Sequence, residues 1–514
     1  MINVRVNTLG RCLPFLYLTL PLLWLFWRAV ITVNDDAFVY FNYAKNLAEG
    51  NFVSYDSRGI PSEGFTSLLY LLLLVPFQLM KIPMPWAAFL INSVALLISG
   101  FLTVRIFIEV FPKEGRLSQL AGALFLGFCV TDNQIRSLIG WGFETIVSLP
   151  LFVGFLLGLT RLTKNGSKTT QIYILVVYFI LGLVRPENLL ICAPLLMLSG
   201  FLCSNKRYFV KSLLGLAFVG IGFALWKLWV FHDIFPTGFY RKITSPTANS
   251  PLFGFVNPYA LEYFKTYRQE FIGIGILFLS SMLCDFGRPV TLKNKVLSVS
   301  FVIITLIFIL LFINRVNPLV GYHFRYFILF TTIFYLSGTF ALVVLAEKWK
   351  GLYGAVVFIF IFLLTPLVFA KRVRTNPFDL YQDSVRSVDD HYYVKFARHL
   401  QRTVRNPSQV KVVFGDAGAI PYFFNCQFID INGLTEPILA RAFNKPGRAD
   451  FVSTYITRLE PDLVVLASHV EIGKDPTLSH GPLDTPEQYR FFLNRLSEQQ
   501  YYYVGSIKSF MTSI

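Results

Sequence analysis

Long apolar runs separated by short basic gaps decide most of what this chain can become. They lie near residues 13–33, 67–80, 86–111, 117–135, 143–160, 171–184, 189–203, 212–231, 271–284, 296–313, 326–346 and 351–370. A helical bilayer crossing needs about 20 apolar residues, and most of these runs approach that length. The 514 residues are 54% hydrophobic and 15% charged, against about 25% charged in a soluble domain. A single water-soluble core, a disordered chain and a collagen-like chain are excluded. The chain reads as a polytopic α-helical membrane protein.

The net charge of +16 invites a nucleic-acid reading, but its placement argues otherwise. Residues 1–370 hold 29 Lys/Arg against 15 Asp/Glu, whereas residues 371–514 hold 17 against 15. The excess sits in gaps between apolar runs, with no basic stripe on a folded domain. The weakest run, 67–80, has fourteen residues and is followed by Lys81-Ile82-Pro83-Met84-Pro85. If it does not cross, eleven spans lead from a cytoplasmic N-terminus to an external C-terminal domain. The inner gaps then carry fifteen basic residues, among them Lys113, Arg161, Lys164, Lys206 and Lys293, against three acids, Glu114, Asp285 and Glu347. If it does cross, every later cluster faces outward. The charge bias selects about 11 transmembrane helices and makes 67–80 a re-entrant or interfacial helix on the outer side.

Arg5, Arg11 and the apolar run to Val33 resemble a signal peptide without a small-residue cleavage site, and read as a first anchor. Five of six cysteines lie in or beside apolar runs. Only Cys426 falls in the polar third, so neither a disulfide framework nor a zinc site is expected there. The one acceptable glycosylation sequon, Asn165-Gly166-Ser167, falls on the inner side, which favours a bacterial inner membrane.

After Ala370 the texture changes. Strand-like stretches near 409–414, 428–431, 462–467 and 501–507 alternate with helical stretches near 435–443, 449–459 and 486–498. This predicts a C-terminal soluble α/β domain over 371–514 with a largely parallel sheet, attached to a membrane domain over 1–370.

The polar residues that could carry chemistry gather in the outer segments. In Asn34-Asp35-Asp36-Ala37-Phe38, either Asn34 or Asp35 suits a cap on a helix ending at Gly50. Capping accounts for one acid more easily than for two, and acids at the mouth of a span are costly unless useful. Next come Ser62-Glu63-Gly64-Phe65-Thr66, Gly142-Phe143-Glu144-Thr145, Arg185-Pro186-Glu187 and Asp233-Ile234-Phe235-Pro236-Thr237-Gly238-Phe239-Tyr240. His323-Phe324-Arg325-Tyr326 and Gly415-Asp416-Ala417-Gly418-Ala419-Ile420-Pro421-Tyr422 complete the set. Arg185 beside Glu187 also suits a local ion pair at a tight turn, Arg58 suits a solvated loop, and His323 an interfacial polar role. The glycines at 415 and 418 also suit a plain strand-to-helix turn.

In this order and on one side of the membrane, these segments resemble the GT-C glycosyltransferases, most closely the bacterial arabinofuranosyltransferase-like subgroup. The resemblance covers most of the chain. It implies a polytopic enzyme whose donor is a sugar on polyprenyl phosphate, and it maps the catalytic carboxylate onto Asp35, with Asp36 beside it. A carboxylate suits a base that accepts the acceptor hydroxyl's proton. The leaving lipid phosphate needs cationic contacts, for which Arg58, Arg185, Arg325 and Lys242 are the outer candidates. Glu63, Glu144, Tyr240 and His323 are candidates for orienting substrate, and Asp416 and Tyr422 for binding acceptor.

Some relatives bind a metal at an acid in the position of Glu144. One acid without a nearby partner is a poor metal site, so no obligatory cofactor is expected; a divalent cation is compatible with the family but not supported by these residues. The implied function is an inverting transfer of arabinofuranose, or another pentose or hexose, to a glycan or glycolipid acceptor outside the cytoplasmic membrane. The implied partners are this donor, this acceptor and membrane lipid, with no nucleic acid. A transporter or lipid flippase of envelope precursors is the rival. It fits less well, because the polar motifs cluster at one face and only Arg105, Glu109 and Lys227 lie deep in apolar runs. A membrane-tethered sensor would leave Asp35-Asp36 unexplained.

Overall fold

Among the described residues, helices occupy the apolar runs. The computed structural model describes residues 33–112, 115–165, 167–202, 206–242, 258–283, 322–348, 388–442, 447–465 and 496. The runs expected at 13–33, 296–313 and 351–370 and the strand at 501–507 lie outside the described residues, as does nearly all of the helix at 486–498. Among the described residues, four helical stretches are long and apolar enough to cross a membrane: Met84–Val110, Glu144–Leu162, Lys206–Phe231 and Phe324–Val344. The Lys206–Phe231 helix leaves Phe218 78% and Trp229 77% exposed, an apolar surface suited to lipid rather than water. The helix at Leu68–Leu79 is 12 residues long and contains Pro76; Leu117–Thr131 and Lys168–Val184 are likewise shorter apolar helices.

The chain divides into two units. One comprises residues 1–30, 88–222 and 251–381, the other 31–87, 223–250 and 382–514.

In the first unit, Ser148–Asn165 and Lys168–Val184 form a helical hairpin, and Ile328–Lys348 packs against both Arg268–Leu283 and Gly115–Thr131. The apolar run expected over 117–135 is broken at Thr131. Asp132 ends it by capping a second helix, Asn133–Gly140, accepting from the Gln134 amide at 2.6 Å. Asp132 also accepts from the Tyr335 hydroxyl at 2.5 Å and the Tyr267 hydroxyl at 3.2 Å. A fully buried acid with this many donors is satisfied by its network. Gln134 extends that network, accepting from Thr331 at 3.0 Å and donating to the Phe324 carbonyl at 2.7 Å. That bond clamps a residue whose φ is +54°, in the left-handed region that non-glycine residues seldom occupy. Glu109 accepts from Arg161 Nε at 2.9 Å, and the Arg105 guanidinium lies 5.2 Å from the Phe101 ring.

In the second unit, three parallel strands are ordered β2-β1-β3: β1 is Lys411–Phe414, β2 is Gln427–Asp430 and β3 is Leu463–Val464. Val412 pairs with Phe428 and with Leu463. Parallel neighbours need a crossover of about a dozen residues, and residues 415–426 supply one through the Ala419–Phe424 helix. Apolar residues on and beside β1 and β2 meet the Pro437–Ala442 and Arg448–Arg458 helices in a core of Val413, Ile429, Ile431, Leu439, Val452 and Ile456. Asp430 closes the turn after β2 by accepting from the Asn432 and Thr435 amides, each at 2.9 Å.

Candidate active site

The first outer loop becomes a helix, Asp35–Ala48, with Asn34 as its cap: Asn34 Oδ1 accepts from the Asp36 amide at 2.9 Å. The capping role that sequence left open between Asn34 and Asp35 therefore falls to Asn34. Just before it, the β-branched Val33 holds φ at +48°, a conformation that costs on the order of 1–3 kcal/mol.

The aromatic side chains of this helix organise the rest of the loop. The Tyr43 hydroxyl meets Ser62 Oγ at 2.8 Å and accepts from the Gly64 amide at 2.9 Å; the Tyr40 hydroxyl accepts from the Thr66 and Ser67 amides at 3.2 and 3.1 Å. Asn42 and Asn46 donate to the Tyr55 carbonyl at 2.5 and 2.8 Å. Gly64 is required because a methyl there would come within 2.8 Å of the Leu434 carbonyl oxygen.

Asp35, 5% exposed, lies against the turn after β1. Its Oδ1 accepts from the Ala419 amide at 2.9 Å, and a methyl on Gly418 would fall 2.1 Å from its Oδ2. Burial first, then the Asp416 charge, hold the Asp35 carboxyl well above the usual carboxylate range; Asp36 adds to this and the Ala419 amide works against it. Asp416 accepts from the Tyr393 hydroxyl at 2.5 Å. Tyr422 is half-buried against Phe38 and Phe41, with ring centroids 5.4 and 6.2 Å away, so its ring serves packing here.

Arg58 is held rather than solvated. Its Nε meets Asp56 at 2.7 Å, and its Nη2 meets Glu436 at 3.0 Å and the Phe428 carbonyl at 2.6 Å. Asp56 also accepts from the Phe428 amide at 2.7 Å. This ties the loop to β2 and engages the Arg58 donors internally. Glu63 pairs with Lys227 at 2.8 Å, and burial pushes its carboxyl up to about 7 against the pull of that lysine. Its backbone carbonyl accepts from Thr237, amide and hydroxyl, at 3.0 and 2.8 Å. The Tyr240 hydroxyl donates to Asp233 at 2.8 Å, and Arg441 reaches the same carboxylate at 3.1 Å. Lys242 is the last residue of the Thr237–Lys242 helix.

In the other unit, Arg185 is 2% exposed and lies between two carboxylates: Nη1 meets Glu144 at 2.9 Å and Nη2 meets Glu187 at 2.5 Å. Its guanidinium is 4.8 Å from the Tyr326 ring, and that of Arg325 is 4.8 Å from the Phe143 ring. Asn188 fastens the turn to Ser148 Oγ at 3.0 Å. His323 lies in the 3₁₀ turn Tyr322–Phe327. Glu144 and Glu187 thus share one cation between them. Among the described residues, no group of three or more His, Cys, Asp or Glu could hold a metal.

Comparison with proteins of known structure gives a likeness over nearly the whole chain. ArnT from Cupriavidus metallidurans, solved bound to undecaprenyl phosphate, aligns at 11% identity over 89% of this chain and 96% of its own, with a TM-score of 0.52. The same protein in the apo state aligns at 12% identity over 93% and 97%, with a TM-score of 0.51. The chain has the GT-C fold. Arabinofuranosyltransferase AftD from Mycobacteria aligns at 13% identity over 78% of this chain and 30% of its own, with a TM-score of 0.42. Residues 380–510 match a family described as "Domain of unknown function (DUF8728)". No curated protein matches by sequence.

Sequence reasoning missed Tyr393 and Asp132. The signal for Asp132 was present, an acid near the end of an apolar run, whereas nothing local marks Tyr393 as the partner of Asp416.

Proposed function

We propose that this chain is a membrane glycosyltransferase that moves a sugar from a polyprenyl-phosphate donor to a glycan or glycolipid acceptor on the outer face of a bacterial cytoplasmic membrane. The observation that carries the reading is the Asp35 carboxylate, buried, relieved of capping duty by Asn34 and held from the side by the Ala419 amide. The undecaprenyl phosphate bound to ArnT supports the donor class.

In the reaction, the acceptor oxygen bonds to the anomeric carbon as the bond from that carbon to the phosphate oxygen breaks. Polyprenyl phosphate leaves with the electron pair, and Asp35 takes the acceptor hydroxyl's proton. One displacement inverts the anomeric centre. Elevation of the Asp35 carboxyl above its usual range moves it toward working pH, where a base is most effective. Asp36 orients the acceptor. Within its own unit, Arg185 neutralises Glu144 and Glu187.

The assay is transfer by purified protein in nanodiscs supplied with radiolabelled polyprenyl-phosphate pentoses and hexoses. Labelled glycan and free polyprenyl phosphate are expected in equal amounts. Movement of intact lipid between leaflets without bond cleavage would instead favour a flippase.

Eleven spans with a cytoplasmic N-terminus also belong to this proposal. In intact cells, an impermeant thiol reagent is expected to label Ile514→Cys and to spare Lys164→Cys. The opposite pattern would remove residues 371–514 from the outer face and the active-site assignment with them.

A further inference from the structure

The segment of unknown function supplies the turn that meets Asp35, and four contacts define that meeting. Gly418 approaches so closely that a methyl would stand 2.1 Å from Asp35 Oδ2. The Ala419 amide donates to Oδ1 at 2.9 Å. The Gly418 amide donates to the Asp416 carbonyl at 3.0 Å, which tightens the turn. Asp416 is in turn fixed by the Tyr393 hydroxyl at 2.5 Å. Tyr393 is 5% exposed and stands edge-on to Phe414 at 5.1 Å, so the donor that holds Asp416 is itself locked by the end of β1.

We propose that Asp416, held by Tyr393, is a positioning residue that governs the charge on the Asp35 carboxyl, so that the domain at 380–510 completes the proton-accepting centre. This rests on the reading of Asp35 as the base.

The groups that face Asp35 can be named element by element. Asp36 lies on its own helix, Tyr55 on the first loop, and Asp416 with Tyr393 on the C-terminal segment. His391 stands next to Tyr393, with ring centroids 5.5 Å apart; burial lowers its imidazole to about 4, so it brings no positive charge near neutral pH. A negative charge on half-buried Asp416 disfavours ionisation of the buried Asp35 carboxyl. A hydroxyl donating to one of them favours charge on that one. Tyr393 therefore favours charge on Asp416, and that charge disfavours charge on Asp35. The pair titrates as a unit, and its upper step sets the pH at which Asp35 can act.

The test compares Asp416→Asn, Tyr393→Phe and Asp35→Asn in the full chain by thermal melting in detergent from pH 4.5 to 9. The same preparations are assayed for kcat/KM against pH with the polyprenyl-phosphate sugar that the parent transfers. Asn keeps the shape of Asp416 and can still accept from Tyr393, but carries no charge. The low-pH limb of kcat/KM in Asp416→Asn is expected about one pH unit lower than in the parent, and Tyr393→Phe should shift it in the same direction by less. The part of the fall in melting temperature with rising pH that Asp35 contributes should move down by the same amount in Asp416→Asn and be absent in Asp35→Asn. Both variants keep the part due to Glu63, whose carboxyl burial raises to about 7. A purely structural role for Asp416 would lower the plateau without moving the limb. An unmoved limb and melting profile in a folded Asp416→Asn overturns the inference even if Asp35→Asn is inactive. A displaced melting profile with full transfer by Asp35→Asn keeps the carboxyl pair and removes instead the assignment of Asp35 as base.

Discussion

Asp35→Asn is expected to fold and insert like the parent while losing transfer by roughly 10²–10⁴-fold, the contribution of a positioned general base. The helix that carries it keeps its cap, because Asn34 and not Asp35 accepts from the Asp36 amide. The amide oxygen of the new side chain can still accept from Ala419. Stability should hold or rise. The folded parent retains a proton on Asp35 at pH values where the unfolded chain has already released it, because the folded carboxyl lies well above the ordinary range. Its stability therefore falls as pH rises from the unfolded value through the folded one. Asp35→Asn lacks that slope, so melting curves and turnover should move in opposite directions. Asp36→Asn should lose less activity. Near-normal turnover by Asp35→Asn on any donor the parent accepts would remove it from the mechanism, and a larger defect in Asp36→Asn would shift the base to its neighbour.

What sequence could and could not reveal divides along sequence separation. The acids at 35 and 36, the helix after them and the strand near 411–414 follow from caps, periodicity and turn residues, all short-range signals. The helix was expected to end at Gly50 and ends at Ala48, with Glu49 as its C-cap, a shift typical of frayed termini. The roles of the arginines lay beyond reach. Arg58 was open to a solvated reading because its local sequence is polar, yet its partners Phe428 and Glu436 lie more than 350 positions away. Arg185 was read beside Glu187, a neighbour on the page, but not with Glu144, which reaches it across a fold. Local pattern reveals which residues are unusual, and tertiary packing decides what each one faces.

Arg185→Ala is expected to be the most damaging single change in the membrane-spanning unit. It leaves Glu144 and Glu187 facing each other without their cation, and breaking a buried pair in this way costs about 3–5 kcal/mol. Low yield and a lowered melting temperature should follow. Arg185→Lys keeps the charge but loses the planar fork that reaches Glu144 through Nη1 and Glu187 through Nη2, so it should fall between alanine and the parent. The informative variant combines Arg185→Met with Glu144→Gln and Glu187→Gln, which removes all three charges together. Neutral replacement of a buried ionic triad is often tolerated, so folding should recover. If Arg185 acts through its carboxylates, this variant keeps donor saturation near the parent's. Loss of donor saturation in the stable triple variant would assign phosphate binding to Arg185 itself.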